Sequence, residues 1–118
     1  LRRVRWAEEK RTPQIITIGR IAIDMEAHEV LVATQRVQLT PIEFRLLYTL
    51  MSQAGKAISK EDLMREVWGY EFMGGTNLVE VTVRRLREKV EDDPSRPEHI
   101  LTVRGIGYKF RPLAPDLP

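Results

Sequence analysis

The spacing of hydrophobic residues divides the chain into a strand-rich first part and a mainly helical second part. Between residues 15 and 39, short apolar runs alternate with turn-prone residues, which predicts four strands in an antiparallel meander. The last break in this pattern falls at Thr34 and Gln35, so the fourth strand is predicted to begin after them. The four runs cover residues 15–18, 21–23, 30–32 and 37–39.

Two helices are predicted next, and each has a recognisable start. Thr40 and Glu43 match a capping box, and a proline occupies the first helical position, where an N–H is not needed. This helix is predicted to stop near Gly55. The second helix is predicted to start at Ser59, with acidic residues in its first turn, and to end at Gly69.

A third helix, predicted over residues 77–91, has two different faces. Asn77 is expected to cap it, and Glu80 is expected to complete a capping box. Apolar residues recur at helical spacing and form one stripe for the core: Val79, Val83, Leu86 and Val90. The opposite face is polar and basic: Asn77, Val81, Arg84, Arg85 and Glu88.

Residues 100–111 predict a β-hairpin, because two β-rich arms flank a glycine-containing turn. Arg104 lies at its tip. Tyr108 and Phe110 alternate onto one face and are expected in the core, whereas Lys109 lies on the other face. A helix with an Arg-bearing outer face, beside a hairpin with an Arg at its tip, suits a domain that grips two neighbouring grooves of duplex DNA.

The charge distribution agrees with this interpretation, although the net charge is only +2. Basic residues exceed acidic ones by 4 in residues 1–20 and by 2 in residues 77–111, whereas acidic residues are in excess by 3 between them. Arg outnumbers Lys by 14 to 5, and Arg is suited to bidentate contact with phosphate and guanine. A solvated, Arg-rich surface would show the same composition, so charge alone does not decide between the two.

Other classes of function find little support. The chain has no cysteine and two isolated histidines, so the sequence predicts no metal site, no cofactor and no enzyme. No stretch approaches the roughly 18 apolar residues of a membrane span, and no signal peptide is evident, so a cytoplasmic location is expected. A protein-interaction module would need exposed apolar anchors on the third helix, where the sequence offers only Val81.

Four segments, in this order and spacing, strongly resemble the C-terminal effector domain of OmpR/PhoB-family response regulators. They are LTPIEFRLLYTL at residues 39–50, SKEDLMREVWG at 59–69, VEVTVRRLREKVE at 79–91 and TVRGIGYKF at 102–110. The resemblance implies an α+β fold: a winged helix–turn–helix with an N-terminal four-stranded antiparallel sheet, three helices and a C-terminal β-hairpin wing.

The resemblance also implies the organisation of the chain and its partners. Residues 14–111 would form the winged-helix domain, residues 1–13 a linker or the tail of a receiver domain that this chain lacks, and residues 112–118 a flexible tail. The domain would bind double-stranded DNA sequence-specifically and control transcription in a two-component regulatory system. Implied partners are a second copy on direct-repeat half-sites, RNA polymerase, the receiver domain and its cognate sensor kinase.

Most site residues follow from the resemblance position by position, whereas Lys109 follows from its place on the outer face of the hairpin. Base contacts fall at Arg85, Val81 and Arg104, with the third helix in the major groove and the wing in the minor groove. Phosphate contacts fall at Thr82, Arg84, Arg87, Asn77, Thr102 and Lys109. The candidate polymerase-contact loop comprises Tyr70, Glu71, Phe72, Met73, Gly74 and Gly75. Two features depart from the family pattern: many members have His at the position of Thr82 and Thr at that of Ile106. Arg87 has an alternative partner in Glu91, four residues away on the helix.

Overall fold

The computed structural model describes residues 15–69 and 77–112, which form two antiparallel sheets and three helices. The predicted α+β architecture, with a four-stranded sheet, three helices and a final hairpin, is confirmed. The elements are β1 (Ile15–Ile18), β2 (Ile21–Asp24), β3 (Glu29–Val32), β4 (Gln35–Val37), α1 (Pro41–Ser52), β5 (Ile58–Ser59), α2 (Lys60–Leu63), α3 (Asn77–Val90), β6 (Ile100–Val103) and β7 (Gly107–Phe110).

The first sheet is the predicted meander, with strands in the order β1-β2-β3-β4. Its fourth strand begins two residues earlier than predicted, because Gln35 pairs with Val32. The connection is a two-residue turn in which Ala33 (φ 51°) and Thr34 (φ 69°) both have left-handed backbones. This geometry matches the twist of a hairpin and places the turn at residues 33 and 34, one residue before the predicted break at residues 34 and 35.

Helix α1 begins with the predicted capping box. The Thr40 hydroxyl accepts from the Glu43 N–H at 3.2 Å, and the Glu43 carboxylate accepts from the Thr40 N–H at 3.0 Å. The helix ends at Ser52, before the predicted stop, because Gln53 leaves helical geometry and its N–H bonds back to the last turn. The buried face of α1 then packs against α3 and β7.

Helix α2 is capped by Ser59, whose hydroxyl accepts from the Asp62 N–H at 3.0 Å, as predicted. A wider π-helical turn over Met64–Trp68 continues it to Gly69, whose φ of 104° ends the helix. Strand β5, which ends at the capping residue Ser59, was not predicted from the sequence. It pairs with β7, so the wing is part of a three-stranded sheet in the order β5-β7-β6.

One core joins the sheets and helices. It includes the inner face of the first sheet, the apolar sides of α1 and α2, the predicted stripe of α3 and the inward face of the hairpin. Tyr108 and Phe110 are buried, as expected from their alternation. The largest fully buried side chains are Phe110, Ile21, Ile23, Leu46, Leu47, Leu50, Met51, Leu63, Leu86, Ile100, Val30 and Val79. Helix α3 is therefore fixed from beneath, and its opposite face is turned to solvent.

Candidate nucleic-acid interface

The outer face of α3 is a continuous exposed stripe along the helix. The predicted apolar stripe is buried, with Val79, Val83, Leu86 and Val90 at most 1% exposed. Six exposed residues recur at spacings of three and four and therefore share one side: Asn77, Glu80, Val81, Arg84, Arg85 and Glu88. Lys89 is exposed too, but its ammonium turns toward α1 and bonds to the Glu43 carboxylate. Val81 is 39% exposed, which is unusual for a large apolar residue in this domain.

The start of α3 differs from the prediction. Asn77 already lies within the helix as described, so it does not have the predicted role of the cap. Glu80, expected to bond back to the cap, instead accepts from the Lys60 ammonium at 2.5 Å. This ion pair raises the pKa of Lys60, mainly through its hydrogen bond to Glu80. It ties the beginning of α2 to the first turn of α3 and neutralises an acidic group on the exposed stripe.

Thr82 is less available than its neighbours. It is 9% exposed, and its hydroxyl donates to the Leu78 carbonyl at 2.7 Å within the helix. A phosphate contact at Thr82 is implied by the family resemblance. Because its hydroxyl proton is used inside the helix, only the oxygen lone pairs of Thr82 remain for another partner.

The wing presents Arg104 at an exposed tip. The Ile106 N–H bonds to the Val103 carbonyl at 2.9 Å, and Gly105 takes a φ of 79° inside this turn. Such a positive φ is the reason that the turn favours glycine at this position. Ile106 is 51% exposed beside Arg104, so the tip offers one cation and one apolar side chain.

Arg87 connects the helix to the wing. Its Nε and Nη2 atoms donate to the Ile100 carbonyl at 3.0 and 2.8 Å, and Nη2 also donates to the Thr102 hydroxyl at 2.9 Å. The guanidinium lies 5.6 Å from the centre of the Tyr108 ring. Burial lowers the pKa of Arg87, opposed by Tyr108 and Glu91. Within the described residues, Arg87 forms no ion pair with Glu91, the alternative partner that helical spacing suggested. A phosphate contact by Arg87 stays a prediction.

Glu91, just beyond the helix, binds the segment that leads into the wing. Its buried carboxylate accepts from the backbone N–H groups of Glu98, His99 and Ile100 at 2.8–2.9 Å, and it lies 3.0 Å from His99 Nδ1. Burial alone would raise the pKa of Glu91, but these hydrogen bonds, led by that of Ile100, lower it below its ordinary value. An acidic residue at a helix C-terminus interacts unfavourably with the helix dipole. In the sequence, this was the one feature that could have indicated a partner for Glu91 outside the helix.

Basic side chains on the exposed stripe and the wing tip are not neutralised. Arg84, Arg85 and Arg104 have no carboxylate within 4.0 Å in the described part of the chain. Other basic residues lie in ion pairs with acidic side chains: Arg20, Arg36, Lys60, Arg65 and Lys89. Besides Arg87, five more basic residues also lack an ion pair with a described carboxylate: Arg45, Lys56, Arg96, Lys109 and Arg111. The candidate interface is therefore defined by where Arg84, Arg85 and Arg104 lie, on α3 and the wing tip, and not by the lack of a partner alone.

The remaining predicted contact residues are more scattered. Thr102 is exposed next to α3, but its hydroxyl oxygen already accepts from Arg87. Lys109 follows Tyr108 on β7 and therefore lies on the hairpin face opposite to Thr102 and Tyr108, which pair directly. The predicted polymerase-contact loop, residues 70–75, lies outside the described residues. So do residues 1–14 and 113–118, and the predicted domain boundaries stay predictions.

A family model for the C-terminal domain of transcriptional regulatory proteins matches residues 34–110 of this chain. The solved structure of the response regulator DrrB from Thermotoga maritima, an OmpR/PhoB homolog, superposes with a TM-score of 0.80 and 30% identity. The chain belongs to the OmpR/PhoB family. The match to DrrB covers 92% of this OmpR/PhoB domain and 52% of DrrB.

Other relatives of this OmpR/PhoB domain are equally informative. A probable transcriptional regulator, ycf27 of Porphyridium aerugineum, is 48% identical over 84% of this chain and 42% of its own length. The DNA-binding domain of Klebsiella pneumoniae RstA, solved in complex with the RstA box, superposes with a TM-score of 0.76 and 31% identity. That match covers 84% of this chain and 98% of the RstA domain. The chain thus spans about half the length of the longer relatives and nearly all of an isolated DNA-binding domain.

The described residues were also searched for a metal site and for a membrane-spanning helix. Within residues 15–69 and 77–112, no three His, Cys, Asp or Glu side chains are gathered as ligands for a metal ion. None of the helices in these ranges combines the length and the apolar character that crossing a bilayer requires.

Proposed function

We propose that this chain binds double-stranded DNA in a sequence-specific manner, as the effector domain of a two-component response regulator that controls transcription. The observation that carries the proposal is the exposed stripe of α3, whose unpaired arginines lie on a helix that Arg87 joins to the wing. The RstA domain, similar in fold and 31% identical, was solved with its DNA box, which supports this function.

Base recognition is assigned to the residues with free, exposed side chains. Arg85 presents two parallel N–H donors that match guanine O6 and N7 in the major groove, worth about 1–3 kcal/mol of discrimination. Val81, one turn earlier, offers an apolar contact to a thymine methyl group. Arg104 at the wing tip suits a narrow minor groove, whose negative potential attracts arginine.

Phosphate contacts are assigned with different weights. Arg84 and Asn77 are exposed on the same stripe, so they are the residues best placed to contact phosphates. Lys109 could reach a phosphate only from the far face of the hairpin. Thr82, Thr102 and Arg87 already have hydrogen bonds inside the domain, so they contribute least to the proposed phosphate contacts.

The partners of the complete protein are also proposals. A domain with so few base contacts gains specificity by binding as two copies on direct-repeat half-sites. The loop at residues 70–75 is assigned as a contact for RNA polymerase. Residues 1–13 are assigned as a linker to, or the tail of, a receiver domain that a sensor kinase phosphorylates. No catalytic activity is assigned to this domain, and its proposed location is the cytoplasm, where DNA is accessible.

Selection of bound duplexes from a random DNA pool tests the function. The winning duplex and its scramble are then titrated by fluorescence anisotropy at two salt concentrations. We expect the winner to bind at least about tenfold more tightly, with an affinity that falls by about 0.9 log unit per log unit of salt for each neutralised phosphate. The absence of binding at low salt would exclude the DNA function and favour a protein-interaction module.

Two variants separate base from phosphate contact. Arg85→Ala should reduce discrimination between winner and scramble by about fivefold to 100-fold. Arg84→Ala should weaken both duplexes alike and lower the salt slope by about 0.9. Glu88→Gln, on the same exposed stripe, is the matched control and should not lower discrimination. Equal losses on both duplexes for Arg85→Ala would contradict its assignment.

A further inference from the structure

Ile100 is the point at which α3 meets the wing, and both of its backbone polar groups are used there. Strand β6 is an edge strand, because β7 lies between it and β5. The Arg111 N–H donates to the His99 carbonyl at 2.8 Å, so residue 99 belongs to a hydrogen-bonded pair of the ladder. Such pairs alternate along antiparallel strands, so the N–H and C=O of Ile100 face away from β7.

The end of α3 supplies partners for these two outward groups. The Ile100 N–H donates to the Glu91 carboxylate at 2.8 Å. The Ile100 carbonyl accepts from Arg87 through Nε and Nη2. Since Arg87 and Glu91 are four residues apart, one turn of helix takes the place that a neighbouring strand would occupy. We call these three residues, Arg87, Glu91 and Ile100, the clasp.

We propose that Arg87 is a positioning residue that sets the angle and distance between α3 and the wing, so that the major-groove and minor-groove contacts are made together. This inference rests on the proposed DNA-binding function. The planar guanidinium of Arg87 fixes direction as well as distance, because it bonds the Ile100 carbonyl through two N–H groups, reaches Thr102 and lies over Tyr108. A phosphate would have to compete with these partners.

Coupling between helix and wing is the consequence that can be measured. If Arg87 positions the wing, its loss removes most of the benefit of Arg104, which sits at the tip of the same hairpin. The effects of the two substitutions on affinity will then be non-additive. If Arg87 only contacts a phosphate, its loss and that of Arg104 will add, and each lost phosphate contact will lower the salt slope.

The first test uses Arg87→Lys in the 118-residue chain, with the selected duplex and its scramble. Lysine keeps the charge and can bind a phosphate, but its ammonium lacks the planar fork that holds Ile100 and Thr102. We expect affinity for the selected duplex to fall at least about tenfold, with an unchanged salt slope and little change on the scramble. Affinity within about twofold of the wild-type value would overturn the proposal.

The second test is a double-mutant cycle between Arg87→Ala and Arg104→Ala. The loss caused by Arg87→Ala should be at least about fivefold smaller when Arg104 is already absent. Arg84→Ala combined with Arg104→Ala is the matched control and should be additive. Additive losses for Arg87 and Arg104, with a salt slope lowered by about 0.9, would assign Arg87 to a phosphate instead.

A loss of affinity caused by unfolding must be distinguished from one caused by a misplaced wing. The melting temperature of every variant is therefore measured, and DNA is titrated only at temperatures below the unfolding transition. Should both Arg87 variants fail to fold, Thr102→Val carries the test, because it keeps Arg87 and removes a single acceptor. It should show a smaller loss that is likewise coupled to Arg104, and an additive loss would overturn the proposal. Failure of the wild-type chain to bind any selected duplex would instead refute the proposed function and leave the geometry of the clasp unchanged.

Discussion

Replacement of Glu91 by Gln should destabilise the domain far more than its position beyond the end of α3 suggests. One carboxylate oxygen accepts from the Glu98 N–H and lies 3.0 Å from His99 Nδ1. The other accepts from the N–H groups of His99 and Ile100. The Glu91 side chain is 1% exposed, so water does not replace these partners.

The expected cost follows from counting donors. A glutamine amide has one oxygen, so whichever way it turns, two of the four donors face an NH₂ group. In the better orientation, His99 Nδ1 changes tautomer and accepts from that NH₂, which leaves the Glu98 N–H without an acceptor. An unsatisfied donor costs about 1–3 kcal/mol, and the change from charged to neutral acceptor for the other bonds adds about 1 kcal/mol. We therefore expect Glu91→Gln to lower the free energy of unfolding by about 2–4 kcal/mol.

Thermal and urea unfolding of the two proteins measure this cost. For a domain of this size, the expected loss corresponds to a melting temperature lower by about 10–20 °C. Glu88→Gln is the matched control, since Glu88 is exposed one turn earlier, and it should stay within about 0.5 kcal/mol of the wild-type value. A melting temperature for Glu91→Gln within about 2 °C of the wild type would refute the argument from hydrogen bonds.

Acidification provides a second check on the same residue. Because the pKa of Glu91 is lower in the folded than in the unfolded state, its contribution to stability is complete above the unfolded pKa of about 4.3. That contribution is lost as the pH falls through the folded pKa. The stability difference between wild type and Glu91→Gln should therefore be constant near neutral pH and shrink below about pH 4. A difference that is independent of pH would show that the charge of Glu91 contributes nothing.

Three further predictions concern the scaffold that positions the interface. Gly107→Ala should prevent normal pairing of β5 with β7 and lower the melting temperature strongly, because a Cβ there would lie 2.1 Å from the Ile58 carbonyl oxygen; an unchanged melting temperature would contradict this packing. Thr40→Ala removes half of the capping box and should cost about 1 kcal/mol in urea unfolding. Lys89→Met removes the 2.6 Å bond to the buried Glu43 carboxylate and should cost about 1–2 kcal/mol. Burial raises the pKa of Glu43, but the hydrogen bonds from Lys89 and Thr40 outweigh it, and the pKa is lowered. Because protonation of Glu43 removes the attraction to Lys89, the cost of Lys89→Met should shrink as the pH falls below about 4. An unchanged cost in acid would contradict this ion pair.

Where the sequence carried local signals, the fold was predictable. The capping box at Thr40 and Glu43, the cap at Ser59 and the apolar stripe of α3 all depend on residues within a turn of one another. Strand β5 was missed because it has two residues, too few for an alternating pattern, and exists through its pairing with β7. The start of β4 was misplaced because Ala33 and Thr34 adopt left-handed backbones that their side chains do not favour.

The candidate site was likewise predictable only where it depends on local sequence patterns. The exposure of Val81, Arg84 and Arg85 follows from helical period alone, and the structure agrees. The partners of Arg87 and Glu91 do not follow from it, because the chain segment that brings Ile100 to them is irregular and its path is set by tertiary packing. Helical spacing suggested that the two side chains bind each other. Each instead binds a different backbone group of one residue on the edge strand.

These two sets of residues lie on different sides of α3, and this separation has a consequence for how specificity can change. Val81, Arg84 and Arg85 face solvent, so other side chains at these positions alter the chemistry presented to DNA at little cost in stability. Arg87 and Glu91 bond to the edge strand of the wing, so in the proposed mode of binding, substitutions there change the geometry of the base contacts. If the proposed contacts hold, we expect substitutions on the exposed stripe to change the preferred operator, and substitutions in the clasp to weaken recognition of every operator.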